Sequence, residues 1–233
     1  MRLDSWLVEK GIVESRTKAQ ALIVSGKVLV NGRSITKPSF AIENGDVMLL
    51  EEPYVGRGAW KLKGYLEESG LSIKGVACLD IGSSTGGFTQ VLLEYGAAHV
   101  TCVDVGKDQL HPSLRQDPRV TLYEGMDIRA FKASTPFELV TGDLSFISLT
   151  GLLSVIDRLA NSHIILLFKP QFEVGPAVKR NSKGVVQDLQ AIETAKTRFL
   201  EAAKALGWQL IAWKKAKIEG KEGNQEYVCH FTK

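Results

Sequence analysis

The sequence predicts an α/β protein in two parts: a small α+β module, then a doubly wound, seven-stranded mixed sheet with helices packed on it. Three observations predict it. From residue 76 onward, apolar strand-like runs alternate with helical patterns, the ordering that builds a largely parallel sheet. The last two of these runs are separated only by "EGKEGNQ", which is too short for a crossover, so they form an antiparallel hairpin at the end of the sheet. Residues 1–52 carry helix and hairpin signals of their own, and "EEPYVGRG", residues 51–58, interrupts the pattern with a proline and two glycines. Residues 53–58 are therefore expected to be a linker, and 59–233 the larger domain.

The first element is a helix in "RLDSWLVEKG", where Leu3, Trp6 and Leu7 recur at helical spacing. Ser15 caps a second helix, "RTKAQALIVS", which Gly26 closes. "KVLV" then alternates into Asn31-Gly32, a strong signal for a tight hairpin turn, and "NGDVMLL" supplies a further strand. A core this small is marginal alone, as expected of an appended module. Between residues 10 and 42 the cations Lys10, Arg16, Lys18, Lys27, Arg33 and Lys37 face a single acid, Glu14. The whole chain carries a net charge of only +3, so it is the local concentration that points to a polyanionic partner.

In the larger domain the strand-like runs are "VACLDI", "HVTCVDV", "RVTLYEG", "ELVTGDL", "IILLFK", "WQLIAWKKAKI" and "EYVCHFT". "GFTQVLLEYG" and "LQAIETAKTRFLEAAKALG" have helical periodicity. The first strand enters "DIGSSTGGFT", residues 80–89, a small-residue turn that opens a helix. Such a turn presents backbone N–H groups to a ligand and lets it approach closely. Asp80, Gly82, Ser83, Ser84, Gly86, Gly87 and Phe88 are its candidate binding residues. They do not form G-x-G-x-x-G but fit D-x-G-x-G-x-G, with Ser84 in place of the middle glycine. Asp104 ends the second strand where a carboxylate can hold a ribose diol, and Asp127 follows the third, where a carboxylate can accept from an adenine amino group. Alone, each acid reads as a turn or cap residue; together, at successive strand ends, they favour an adenosine cofactor. The fourth strand ends in Asp143, the fifth in Lys169, and the seventh begins at Glu226. Lys61 and Lys63 both lie on the helix that enters the domain, and periodicity does not choose between them.

The composition, 44% hydrophobic and 24% charged, is that of a globular protein. The longest uninterrupted aliphatic and aromatic run is "IILLF", far short of the roughly 20 residues a membrane helix needs, and the N-terminus shows no signal-peptide core. A soluble, cytoplasmic protein with no membrane partner is expected. Cys78, Cys102 and Cys229 are odd in number and lie in apolar runs, as reduced core thiols do. No His, Cys or carboxylate cluster has metal-ligand spacing, so no metal centre is expected.

These segments carry a resemblance over nearly the whole chain. Residues 2–46 resemble the alpha-L RNA-binding motif, found also in ribosomal protein S-four, pseudouridine synthases and tyrosyl-tRNA synthetases. "GRGAWKL", "GDLSF", "LLFKPQFE" and "GNQEYV" resemble the FtsJ-like ribose 2′-O-methyltransferases, above all the TlyA or hemolysin-A family. The resemblance implies a Rossmann-like class I methyltransferase domain behind an RNA-binding domain of S-four type. It also implies a tetrad of Lys61, Asp143, Lys169 and Glu226, the pattern "AWKL" selecting Lys61 over Lys63. S-adenosylmethionine is then the cofactor, with Asp143 facing both it and the tetrad, and the partner is ribosomal RNA or a ribosomal subunit, with cytidine as the target.

The chemistry gives a reason for a lysine at the end of "IILLF". A ribose hydroxyl is a weak nucleophile near neutral pH and needs a partner to take its proton as it attacks a sulfonium methyl. Burial and a neighbouring cation favour a neutral amine suited to that task. The bland alternative is a lysine whose stem packs and whose ammonium reaches water. Residues 170–186 form a long connection without periodicity, in which Phe172, Lys179, Arg180 and Lys183 are candidates to stack on a base and grip phosphates. Two other functions remain open to the sequence: a catalytically idle RNA-binding or assembly factor, and a membrane-lytic protein, which the absence of a spanning or export segment opposes.

Overall fold

The computed structural model describes residues 1–31, 33–49, 54–220 and 223–233. The chain forms two compact units, residues 1–53 and 54–233.

In the first unit, α1 (Leu3–Glu9) and α2 (Arg16–Val24) pack over a three-stranded antiparallel sheet of β1 (Val28–Val30), β2 (Arg33–Ile35) and β3 (Val47–Leu49), in the order β2-β1-β3. Ser15 caps α2 by accepting from the Lys18 backbone N–H at 3.2 Å. Leu3, Leu7, Ala19, Ile23 and Val28 form a fully buried centre. Asp4 is buried beside it and holds the α1–α2 corner: its carboxylate accepts from Arg2, from Arg16 Nε at 3.1 Å and from Gln20 Nε2 at 2.8 Å. The Asn31-Gly32 turn is half described, since Gly32 lies outside the described residues; Asn31 has the left-handed φ of 49°.

The second unit contains α3 (Gly58–Ser69), β4 (Ala77–Ile81), α4 (Gly87–Glu94), β5 (His99–Asp104), α5 (Pro112–Arg115), β6 (Val120–Glu124), β7 (Phe137–Gly142), α6 (Leu153–Leu159), β8 (Ala160–Phe168), α7 (Pro170–Glu173), α8 (Leu189–Ala205), β9 (Gln209–Lys215) and β10 (Tyr227–Thr232). The sheet order is β6-β5-β4-β7-β8-β10-β9, with β4 to β8 parallel and β10 antiparallel to both of its neighbours. Strand alternation divides the core. Cys78, Ile165 and Leu167 face the layer of α3 and α4, while Leu79, Ile164, Leu166 and Phe168 face that of α6 and α8.

Three expectations differ from the structure. Of the predicted linker, Pro53 lies outside the described residues, whereas Tyr54 and Val55 are packed into the second unit. The Tyr54 hydroxyl donates to Glu94 at 2.7 Å and the Val55 N–H to Gln90 at 2.8 Å, so this stretch is fastened along α4. β8 begins four residues before "IILLF", because Ala160 to His163 pair with β7 and β10 although Asn161 and Ser162 are polar. The connection 170–186 is not structureless: it contains the single turn α7 and a bridge between Arg180 and Val186, both too short to leave a periodic signal. All three cysteines are free and buried, and burial pushes the Cys78 and Cys102 thiols up to about 12. Among the described residues no helix is long and apolar enough to cross a membrane.

Candidate active site

The site is built where the parallel strands end, the edge at which open α/β sheets bind ligands. β4 runs into a turn made of left-handed residues: Gly82 has φ 75°, Ser84 φ 47° and Gly86 φ 98°. Ser84 thus adopts the conformation that the missing glycine of the motif would supply, at a steric cost of roughly 1–2 kcal/mol. A hydrogen bond offsets it: the Ser84 N–H donates to Asp104 Oδ2 at 2.7 Å. Asp104 Oδ1 takes the Gly106 N–H, also at 2.7 Å, so the carboxylate is held rigidly at the end of β5.

Two cavities meet at this edge. One, of about 480 Å³, is lined by Gly82, Ser84, Asp104, Met126, Asp127 and Leu144 among others. The second, of about 700 Å³, is lined by Lys61, Ser83, Thr85, Phe88, Lys169 and Glu226 among others. Gly82, Ser84, Asp143, Ser145 and Phe146 border both, which makes them the wall between two adjoining chambers.

All four expected tetrad residues line the larger chamber, as two ion pairs. Lys61 Nζ, on α3, lies 2.6 Å from Glu226 Oε2, just before β10, with both side chains almost fully buried. Lys169 Nζ, just after β8, lies 2.6 Å from Asp143 Oδ1, just after β7. Lys63 points elsewhere, pairing with Glu94 at 3.1 Å, so Lys61 is the lysine that enters the chamber. Lys169 also donates to Ser145 Oγ at 2.9 Å, and the Gln171 amide reaches Glu226 Oε1 at 3.4 Å.

Several expected ligand residues are placed differently. Asp80 lines neither chamber; it is fully buried beneath the turn, accepting from Thr89 at 2.7 Å and Thr141 at 3.2 Å. Burial raises its carboxyl to about 7 despite those bonds. Asp80 therefore supports the turn from below. Gly86 also faces away, since a Cβ there would collide with Leu114 Cδ1; it is a packing glycine under α5. Gly87 lets the start of α4 approach α3, with a would-be Cβ 3.0 Å from the Ala59 nitrogen, and Phe88 is buried at the chamber floor. Ser83 Oγ is buried in the chamber wall without a hydrogen-bond partner. Asp127 borders the smaller chamber but is paired with Arg129, whose guanidinium lowers its carboxyl to about 2.

The basic residues divide as well. Arg180 spends its guanidinium on the carbonyls of Gln171 and Gly175, both at 3.0 Å, and of Val178 at 2.7 Å, which folds the 174–180 loop around it. Lys183 borders the larger chamber, Lys179 is exposed outside it, and Phe172 lies against Phe146 with ring centroids 5.2 Å apart. In the first unit Lys10, Lys18 and Lys37 are exposed; Lys18 pairs with Glu14 at 2.8 Å, and Lys10 lies over the Trp6 ring. Arg16 is exposed but bonded to buried Asp4, Lys27 is half-buried, and the Arg33 side chain lies outside the described residues. Sequence reasoning missed Gly58, Ser145, Phe146, Gln171 and Asn224. None belongs to a periodic run, and all five lie, not singled out, inside the segments that carry the resemblance. Among the described residues no group of His, Cys, Asp and Glu is arranged to hold a metal ion.

Residues 54–233 match the FtsJ-like methyltransferases and residues 1–48 match the S4 domain. The chain is 48% identical to the 23S rRNA (cytidine-2′-O)-methyltransferase TlyA of Campylobacter jejuni, covering 100% of both chains. It is 40% identical to the 16S/23S rRNA (cytidine-2′-O)-methyltransferase TlyA of Mycobacterium tuberculosis, covering 97% of this chain and 87% of that one. A solved structure of a hemolysin-named protein from Streptococcus thermophilus is 32% identical, with a TM-score of 0.77, covering 100% of this chain and 88% of that one.

Proposed function

The chain belongs to the FtsJ-like methyltransferase family, and on that premise we propose that it is an S-adenosylmethionine-dependent ribose 2′-O-methyltransferase that modifies cytidine in ribosomal RNA. The observation that carries the reading is the pair of buried lysine–carboxylate contacts in a chamber that adjoins a second one headed by Asp104. When bound, S-adenosylmethionine supplies a methyl group on a sulfonium centre, the electrophile for a ribose oxygen. The smaller chamber suits it: Asp104, held by the N–H groups of Ser84 and Gly106, can accept from a ribose diol, and Gly82 leaves the wall bare of a Cβ.

The larger chamber takes the target ribose. Lys169 takes the 2′-hydroxyl proton as the oxygen becomes nucleophilic. Asp143, against Lys169, sets the local charge and borders both chambers, so it bears on donor and acceptor alike. Lys61 and Glu226 neutralise one another and offer a donor and an acceptor to the remaining ribose oxygens. Phe146, with Phe172 beside it, offers the displaced base a stacking surface at the mouth. The division of labour follows the chain: residues 1–52 grip structured RNA through Lys10, Lys18 and Lys37, and residues 59–233 perform methyl transfer in the cytoplasm, where ribosomal subunits are made.

The experiment is transfer of labelled methyl from S-adenosylmethionine to ribosomal subunits, with ribose methylation mapped in cells with and without the gene. A cytidine 2′-O-methyl mark that disappears with the gene is the expected result. Stoichiometric RNA binding with no methyl transfer would make the protein an assembly factor instead.

A further inference from the structure

Lys169 Nζ makes two contacts of different kinds. Asp143 Oδ1 lies 2.6 Å away, yet it is off the directions of a hydrogen bond and is buried without a hydrogen-bond partner. Ser145 Oγ, at 2.9 Å, is a hydrogen bond proper. A charge contact attracts but does not orient, because Coulomb energy depends on distance alone; a hydrogen bond weakens steeply when it bends. A proton acceptor needs orientation above all. A neutral amine has one lone pair, and rotation about its terminal C–N bond decides whether that lone pair meets the ribose hydroxyl or a wall.

We infer that Ser145 is a positioning residue for Lys169, fixing by its hydroxyl the rotation of the amine that takes the ribose proton. The inference rests on the reading of Lys169 as that acceptor. The local backbone is shaped for the purpose. Phe146 has a left-handed φ of 65°, which a bulky side chain rarely adopts, and its ring is 90% exposed. Strain of this kind, roughly 1–3 kcal/mol, persists only where the surroundings hold it. Here the Phe146 ring rests against Phe172, and the Phe172 N–H donates to the Lys169 carbonyl at 2.9 Å. The loop after β7 and the loop after β8 are thus tied twice, outside by the two rings and inside by the Ser145–Lys169 hydrogen bond. Asp143 supplies charge, Ser145 supplies aim.

The test is a double-mutant cycle read by single-turnover methylation of ribosomal subunits, with S-adenosylmethionine and subunit affinities measured alongside. Ser145→Ala is expected to slow methyl transfer roughly tenfold, the scale of one lost directional bond, with both affinities within about twofold of wild type. Ser145→Thr, which keeps the hydroxyl, should recover most of the rate. On a Lys169→Met background, Ser145→Ala should cause no further loss. An equal loss in both backgrounds, or a loss that sits wholly in S-adenosylmethionine affinity, overturns the positioning role while leaving the methyltransferase reading intact. A Lys169→Met variant that methylates at the wild-type rate removes the proton-acceptor reading, and the role of Ser145 with it.

Discussion

Replacing Lys169 by methionine keeps the unbranched stem that packs below the strand end and deletes only the amine. Methyl transfer should fall by roughly two to four orders of magnitude while both affinities change little, as single-turnover rates beside equilibrium binding would report. Asp104→Ala should act in the opposite way, weakening S-adenosylmethionine about tenfold or more by removing a fixed anionic acceptor, as calorimetry would show. Asp80 carries a pH signature. Its carboxyl sits near 7 in the folded chain against an ordinary value of 3.8, so over that window the folded state keeps a proton the unfolded chain has released. Stability therefore falls as pH rises through the window, and the loss is complete above the folded value. Asp80→Asn has nothing to titrate. Its urea midpoint should gain on wild type between about pH 4 and about pH 7, and a constant difference across that range would mean the carboxyl is not buried in its neutral form. Lys169 was legible because a cation that ends an apolar run is out of place. Asp80 was misjudged because its motif position says which loop it belongs to, not which side of the sheet its side chain faces.

The elements themselves were mostly visible, since periodicity and caps are local: Ser15 and its helix, the strands from β4 to β8, and the closing hairpin could all be read from short windows. What no short window carries is the fit between elements. Gly58 opens α3, and a Cβ on it would lie 2.8 Å from Asp143 Oδ2. The first turn of a helix welcomes alanine, so Gly58→Ala should leave the thermal midpoint unchanged or slightly raised by helix propensity, on the order of 0.5–1 kcal/mol. The displaced carboxylate should nonetheless slow methyl transfer several-fold. Melting curves and single-turnover rates on the same preparation separate the two effects; a slower enzyme with a collapsed midpoint would instead indicate that the helix start had been disrupted. Arg180 teaches the converse. A cation in an aperiodic loop suggested only phosphate contact; Arg180 borders the larger chamber, and the loop also folds around its guanidinium, which donates to main-chain carbonyls.

For the molecule as a whole, the basic module invites a salt titration. Lys10, Lys18 and Lys37 are exposed, and replacing all three by alanine should reduce the dependence of RNA affinity on salt by about 0.7 to 0.9 logarithmic units per lost phosphate contact, with S-adenosylmethionine affinity unaltered. An unchanged slope would assign the grip to other residues. Arg16 is the wrong residue for that experiment, because removing it weakens the support of a buried anion, Asp4, and confuses folding with binding. The two-part plan was plain from charge and punctuation, whereas Lys61 and Glu226, 165 positions apart, were joined in one site through family resemblance and as a direct pair only by the fold. That separation also governs timing. β10 is later in the chain than β9 yet lies between it and β8, so until β10 is in place β9 has no strand beside it to join. The sheet can be zipped from β4 outward as far as β8, and then it must wait. Glu226 reaches Lys61 only when β10 slots into the gap, leaving a nascent chain with its lysine committed to the core and its counter-ion still unmade. A stalled or truncated product is thus a protein with an orphaned buried cation and an open sheet edge, the kind of intermediate that chaperones hold and proteases clear.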